Sequence, residues 1–267
     1  MKNPEEFKLI FLLACVLFCP ATMAQTNINF AYVGDENLSA YFGVQQGLDE
    51  ANLQGQFLGN TYSLKSFESV SALNASDTEF IAIIAAVNAE QLRELSQTSS
   101  FHPLINISSA DNELRSRCSR NMLHIVPSEK MLVDAVRQWQ QKQPGAEVQA
   151  TAWHEDFVKF AARDLNKRYR KKFTVGMDDL AWAGWAAVKM VSDTAVRESI
   201  SDPVEMLNSL KTNLSFDGQK GLNMSFRYTG QLRQIVLLSQ DGKLLGEAPV
   251  RGVSSDIDSL GINSCNK

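Results

Sequence analysis

The first half of the chain alternates short apolar runs with segments of helical spacing. Residues 28–33 form a short apolar run, and Gly34-Asp35 provides a turn after it. Over 38–53, Tyr41, Val44, Leu48 and Ala51 recur on one side, which predicts a helix. Residues 61–67 alternate instead, with Tyr62, Leu64 and Ser66 on one face, as a strand does. The continuous run at 80–87, Phe-Ile-Ala-Ile-Ile-Ala-Ala-Val, has the length and branching of a strand buried on both faces of a parallel sheet. Asn88 is placed to cap a helix over 89–96. A fourth strand follows at 103–107 and a short extended piece at 123–126. Ser128 then caps a helix running to about residue 142. This βαβαβαβ order predicts an α/β fold, a doubly wound parallel sheet with helices on both faces.

The pattern changes at 140–149, a polar stretch with a Pro-Gly turn signal. Helices are expected directly afterwards, at 153–172, 178–198 and 203–213, with Pro203 at a helix start behind Asp202. Ala181, Gly184 and Val188 would let the second of these approach the sheet closely, and Trp182 and Trp185 read as core packing. The end reads as extended. Runs at 224–228 and 232–239 are joined by Thr229-Gly230, a hairpin signal, and Asp241-Gly242 marks another tight turn.

Residues 1–24 have the layout of an export signal. An apolar core at 9–18 precedes Ala21-Thr22-Met23-Ala24, which places the first mature residue at Gln25. That core is too short to span a bilayer, and no later stretch qualifies as a transmembrane segment. Lipidation at Cys15 or Cys19 fits the flanking residues poorly. Removing 24 residues from 267 leaves 243, read as one unit spanning 25–267, with a sheet-building half at 25–143 and returning elements at 150–267. The formal net charge of −4 argues against nucleic acid as a partner. Cys118 and Cys265 survive cleavage. In an oxidising compartment an even pair reads as a disulfide, with two buried free thiols as the alternative.

Catalytic constellations are not apparent. His102, His124 and His154 lack metal-ligand spacing and read as surface or capping residues. Gly-x-Ser-x-Gly, a phosphate-binding glycine loop and Cys-x-x-Cys are all missing, so neither an enzyme activity nor a cofactor nor a metal is implied. The basic run at 167–172 reads as the solvated last turn of a helix, and Asp256-Ile257-Asp258 as a solvent-facing tail rather than a calcium site. In an open α/β sheet the ligand lies beyond the carboxyl ends of the strands, which here means the loops at 34–38, 87–88 and 108–111.

Several tracts carry a resemblance. They are Ala-Thr-Ala-Trp-His at 150–154, Asp-Leu-Asn-Lys-Arg at 164–168, Trp-Ala-Gly-Trp-Ala-Ala-Val-Lys at 182–189 and Leu-Asn-Met-Ser-Phe-Arg at 222–227. Gly-Gln-Leu-Arg-Gln at 230–234 and Ile-Asp-Ser-Leu-Gly at 257–261 complete the set, and 105–139 fits as well. Together they resemble the solute-binding proteins of an ABC-transporter family associated with pyrroloquinoline-quinone (PQQ)-dependent alcohol oxidation. That family is similar to the leucine/isoleucine/valine periplasmic binding proteins of type I fold.

The resemblance implies a periplasmic, non-enzymatic protein with a small, alcohol-related solute, an ABC permease and a quinoprotein dehydrogenase system as partners. It implies ligand contacts at Ser108, Ser109 and Ala110, with Asn88 beside them, and cysteines recurring at the positions of Cys118 and Cys265. Relatives build a second lobe where this chain has the polar 140–149 connector, so the chain reads as essentially one lobe with a C-terminal hairpin. A hydroxyl expected in the fourth-strand loop falls at Ala110, and Asp111 stands nearby, so a typical amino acid is a poor guess for the ligand. The rival reading is a degenerate lobe acting as a protein-interaction module, which an apolar face above the sheet would favour.

Overall fold

The computed structural model describes residues 26–266, so the expected export signal and its expected cleavage point lie outside the described residues. Five strands form a parallel sheet: β1 (Thr26–Gly34), β2 (Asn60–Phe67), β3 (Ala82–Ala86), β4 (Leu104–Asn106) and β5 (Met122–His124). Their order is β2-β1-β3-β4-β5. The chain therefore leaves β1 to one side for β2 and to the other for β3, and the topological switch lies between β1 and β3. The intervening helices are α1 (Ser39–Leu58), α2 (Val70–Asn74), α3 (Ala89–Thr98), α4 (Asn112–Ser116) and α5 (Glu129–Lys142). The predicted doubly wound sheet is what forms.

Alternation along β1 divides the core. Ile28, Phe30 and Tyr32 face a large cluster with residues of α1 and of the later helices α6 (Ala162–Phe173), α7 (Asp179–Glu198) and α8 (Pro203–Thr212). Ala31 and Val33 face a smaller cluster with Val70, Leu73, Leu92, Leu95 and Leu114 on the other side. β3 is buried at every position, as its unbroken apolar run requires.

The second half departs from expectation in several places. The helix predicted over 153–172 begins only at Ala162. Asn166 explains the delay, because its side-chain amide donates to the carbonyls of Glu155 and Phe157, at 2.9 and 3.0 Å, and holds them out of a helical ladder. Its Oδ1 meanwhile accepts from the Trp153 indole at 2.8 Å. The polar connector hides a strand, β6 (Gln149–Thr151), which pairs antiparallel with β7 (Val236–Gln240). The hairpin predicted across Thr229-Gly230 forms but stays short: the Arg227 N–H donates to Gln231 O at 2.9 Å and the Arg233 N–H to Ser225 O at 2.8 Å around one bridge, Phe226 to Leu232. The Asp241-Gly242 turn carries the longer hairpin, β7 to β8 (Lys243–Ala248). Residues 230–232 also lengthen the large sheet beyond β5: the His124 N–H donates to Gly230 O at 2.8 Å and the Leu232 N–H to His124 O at 3.0 Å. The small sheet packs on α5 through Trp139, Val236, Leu238 and Ala248.

Trp182 and Trp185 are core residues, as expected. The small face of α7, however, meets a helix rather than the sheet. A methyl group at Gly184 would lie 2.2 Å from Ala40 O, and one at Gly43 of α1 only 1.8 Å from Ala181 O. The basic run ends α6 but is not simply solvated, since Arg168 pairs with Glu50 at 2.9 Å and Lys172 with Asp49. His124 is no surface histidine, being 1% exposed in the short strand β5. Nor is Asp258 a free tail residue, because it binds Arg227 at 2.8 Å and Arg233 at 2.9 Å. The Cys118–Cys265 disulfide is present, closing 147 residues of sequence separation.

Lys220 is buried in this second half. Its ammonium nitrogen lies 3.9 Å from the centre of the Trp182 ring and donates to Gln234 Oε1 at 2.8 Å. Burial pushes its pKa down to about 7 from 10.5, against the pull of Asp179 and Glu247. The folded state thus binds this proton more weakly than the unfolded chain does. The resulting penalty is absent above the unfolded pKa, grows as the pH falls, and is complete below about pH 7. Lys220→Met removes the titration but leaves Gln234 without its donor. Melting temperatures of the two proteins, measured from pH 10 to pH 6, are expected to shift in favour of the variant as the pH falls. A difference that does not change with pH would contradict this account.

Candidate functional site

A cleft of about 1060 Å³ opens at the carboxyl ends of β1 to β4, over the switch point. Asn88, Ser108, Ser109 and Ala110 all line it, so the structure brings together the four residues expected there. It adds Ser66, Phe67 and Glu68 from the end of β2, Gln91 from α3 and Glu129 from α5, none of which the sequence pattern had placed there. The floor is kept low by Gly34, whose φ of 150° and 2.8 Å approach of a would-be Cβ to Ala86 O exclude a side chain.

The fourth-strand loop is built from below by side chains. Asn106 is fully buried. Its Oδ1 accepts from the Ser108 and Ser109 N–H groups at 3.1 and 2.9 Å, and its Nδ2 donates to Ser109 O at 2.7 Å. The same Nδ2 lies 3.0 Å from His124 Nδ1. Because the amide group is the donor, Nδ1 must accept, and the ring proton sits on Nε2. Burial, then the nearby Arg115 cation, hold the His124 pKa far below its ordinary value, so the ring is neutral.

Arg115 lies under the same loop with no exposed surface. Its guanidinium donates to Ser109 O (2.7 Å), Asp111 O (2.8 Å) and Val126 O (2.9 Å), and its Nε to Gln231 Oε1 at 2.9 Å. Gln231 in turn donates to Val126 O at 3.1 Å. A buried cation surrounded by carbonyls costs little only if each N–H finds an acceptor, and this one is well supplied. Asn106, Arg115 and Gln231 shape the loop without lining the cleft. The sequence signal for them is faint: single polar residues in otherwise apolar or loop segments.

The lining is itself hydrogen-bonded in a particular sense. Ser108 Oγ donates to Val87 O at 2.9 Å. Asn88 caps α3 through the Gln91 N–H at 3.0 Å, as the sequence predicts, and Gln91 Oε1 answers from the Asn88 N–H. Asp111 Oδ1 takes the Glu113 N–H at 2.6 Å, capping α4, and the Glu129 N–H goes to Ala110 O at 2.9 Å. Among the described residues, no three His, Cys, Asp or Glu side chains are gathered to hold a metal ion. No described helix is long and apolar enough to cross a membrane.

No protein-family model and no curated protein matches the sequence. Solved structures do match in shape. An amino-acid ABC-transporter substrate-binding protein from Pseudomonas fluorescens Pf-5 superposes with a TM-score of 0.70 at 9% identity, over 92% of this chain and 100% of its own. An ABC-transporter substrate-binding protein from Desulfitobacterium hafniense gives 0.70 at 12%, over 82% and 99%. A branched-chain amino-acid transporter substrate-binding protein from Streptococcus pneumoniae, solved with isoleucine, gives 0.64 at 11%, over 83% and 99%. At such low identity the likeness speaks for architecture alone, and the architecture is that of the type I periplasmic binding proteins.

Proposed function

We propose that this chain is a non-enzymatic, exported solute-binding protein that serves an ABC importer linked to PQQ-dependent alcohol oxidation, acting in the periplasm as essentially one lobe. The observation that carries the reading is the cleft at the switch point, lined by Asn88, Ser108, Ser109 and Ala110 and supported from beneath by Asn106 and Arg115. The fold of the neighbours supports solute binding, and the sequence tracts at 150–154 and 182–189 support the alcohol-oxidation link. The connector at 143–148 runs into β6 and then towards α6 without another parallel crossover, which supports the single lobe. The interaction-module rival gains little from the cleft, whose lining intersperses carboxylates and amides among Phe67, Val87 and several alanines rather than presenting a continuous apolar face.

Two-lobed binding proteins bury their ligand by closing a hinge. A single lobe leaves one side of the ligand in water, so affinity should be weak, about 0.1–1 mM. Calorimetry with short alcohols, aldehydes, acids and amines, paired with small-angle scattering, tests this. The expected outcome is saturable binding by some solute with an unchanged radius of gyration. A ligand-dependent contraction would refute the single lobe, and silence from every solute class would refute the binding function.

A further inference from the structure

The charge and hydrogen-bonding state of the cleft narrow its ligand. We infer that the cleft takes a small organic amine and rejects carboxylates, an inference that rests on the solute-binding reading. Two independent observations point this way. First, Asp35, Glu36, Glu68, Asp111 and Glu129 line the cleft, and among the described residues no lysine, arginine or histidine does. The nearest buried cation, Arg115, has its guanidinium committed to three backbone carbonyls and Gln231 beneath the loop.

Second, several of the donors that would hold an anion are already engaged. The Ser108 and Ser109 N–H groups point down to Asn106 Oδ1, and the Ser108 hydroxyl proton goes to Val87 O. The Gln91 N–H is taken by Asn88, the Glu113 and Leu114 N–H groups by Asp111, and the Glu129 N–H by Ala110 O. The N-termini of α3, α4 and α5, which would otherwise attract an anion, thus face the cleft already capped. The Ser109 hydroxyl and the side-chain NH2 groups of Asn88 and Gln91 remain as neutral donors, but the charge that remains is negative, on carboxylate oxygens spread around the rim, and the Ser108 oxygen has its single proton spent. A ligand matched to this surface brings donors and positive charge. Because the carboxylates are spread around the rim rather than clustered, they suit an extended ammonium-bearing molecule better than a chelated metal ion.

Calorimetric titration of the full mature chain with putrescine, ethanolamine, leucine and acetate, at low and at physiological salt, tests the inference. Putrescine or ethanolamine should bind, more weakly as salt rises, while leucine and acetate do not. The Glu36→Gln/Glu68→Gln double variant removes two rim charges for which no structural hydrogen bond is seen. It should weaken amine binding about fivefold to tenfold. A charge-matched control, Glu94→Gln/Asp241→Asn, lies outside the cleft and should leave the affinity unchanged. Equal weakening in the control would reduce the effect to net charge and overturn the inference. Binding of leucine or acetate with the amines silent would overturn it too, while leaving the solute-binding function standing. Silence from all four would remove the amine assignment and, with the broader solute panel, that function as well.

Discussion

Gly43→Ala is expected to destabilise the protein by about 3 kcal/mol or more, although alanine is the better helix former. The propensity gain is about 1 kcal/mol, and it is outweighed by sterics. The added methyl group would sit 1.8 Å from Ala181 O, and the obstacle is backbone, which no rotamer change can move aside. The helices must separate, and separation loosens the packing of Val44, Trp185 and Val188 in the main core. Gly184→Ala attacks the same interface from α7, 2.2 Å from Ala40 O. Because both changes open one interface, the double variant should cost clearly less than the sum of the singles. Urea denaturation of the three variants checks both claims. A Gly43→Ala protein as stable as the parent would mean that α1 and α7 do not lie this close, and strict additivity would mean that the two glycines serve separate interfaces.

Removal of the Cys118–Cys265 bridge should produce the other large effect. Closing a loop of 147 residues restricts the unfolded chain by about 5 kcal/mol in the chain-entropy model, and measured bridges more often give about 2–4 kcal/mol. The native tail has other anchors. Arg227 donates to Leu260 O at 2.6 Å and Ile257 O at 2.9 Å, Asp134 accepts from the Gly261 N–H, and Gln138 holds Ser259. A Cys118→Ala/Cys265→Ala protein is therefore expected to keep the near-ultraviolet circular dichroism of the parent while its denaturation midpoint falls sharply. Adding reductant should lower the midpoint of the parent but not that of the variant. An unchanged midpoint would show that the unfolded chain gains little from the lost constraint. A changed native spectrum would show that the bridge, rather than Arg227, holds the tail.

The parallel sheet was legible because its strands are written in local patterns. The unbroken run at 80–87 admits little but a doubly covered strand, and Asn88 followed three residues later by Gln91 is a helix start in any context. Once that order is read, the general rule for open sheets points to the loops at 34–38, 87–88 and 108–111, all of which contribute to the cleft. What could not be read depends on distant partners. Gln149–Thr151 has no strand pattern of its own and is a strand only because β7 lies beside it. Thr229-Gly230 is a good turn signal and the turn forms, but nothing local announces that the residues after it also pair with the edge of β5. Glu68 and Glu129 are ordinary exposed acids in the sequence and join the cleft only through the packing of β2 and α5. His124 misleads for the same reason, since nothing local announces Asn106 as its partner.

The loop floor of the cleft also has a temporal meaning. Arg115, His124, Ile125 and Val126 find partners in Gln231 and Gln234, more than a hundred residues downstream. During synthesis, the strands and helices that outline the cleft emerge long before the residues that brace it. A nascent chain ending short of Gly230 can assemble the first strands, but it leaves the Arg115 cation without its glutamine and β5 with an open edge. Completion of the cleft is thereby tied to arrival of the carboxyl-terminal segment, and a chain stalled or clipped before that point carries an outline of the cleft with no rigid base.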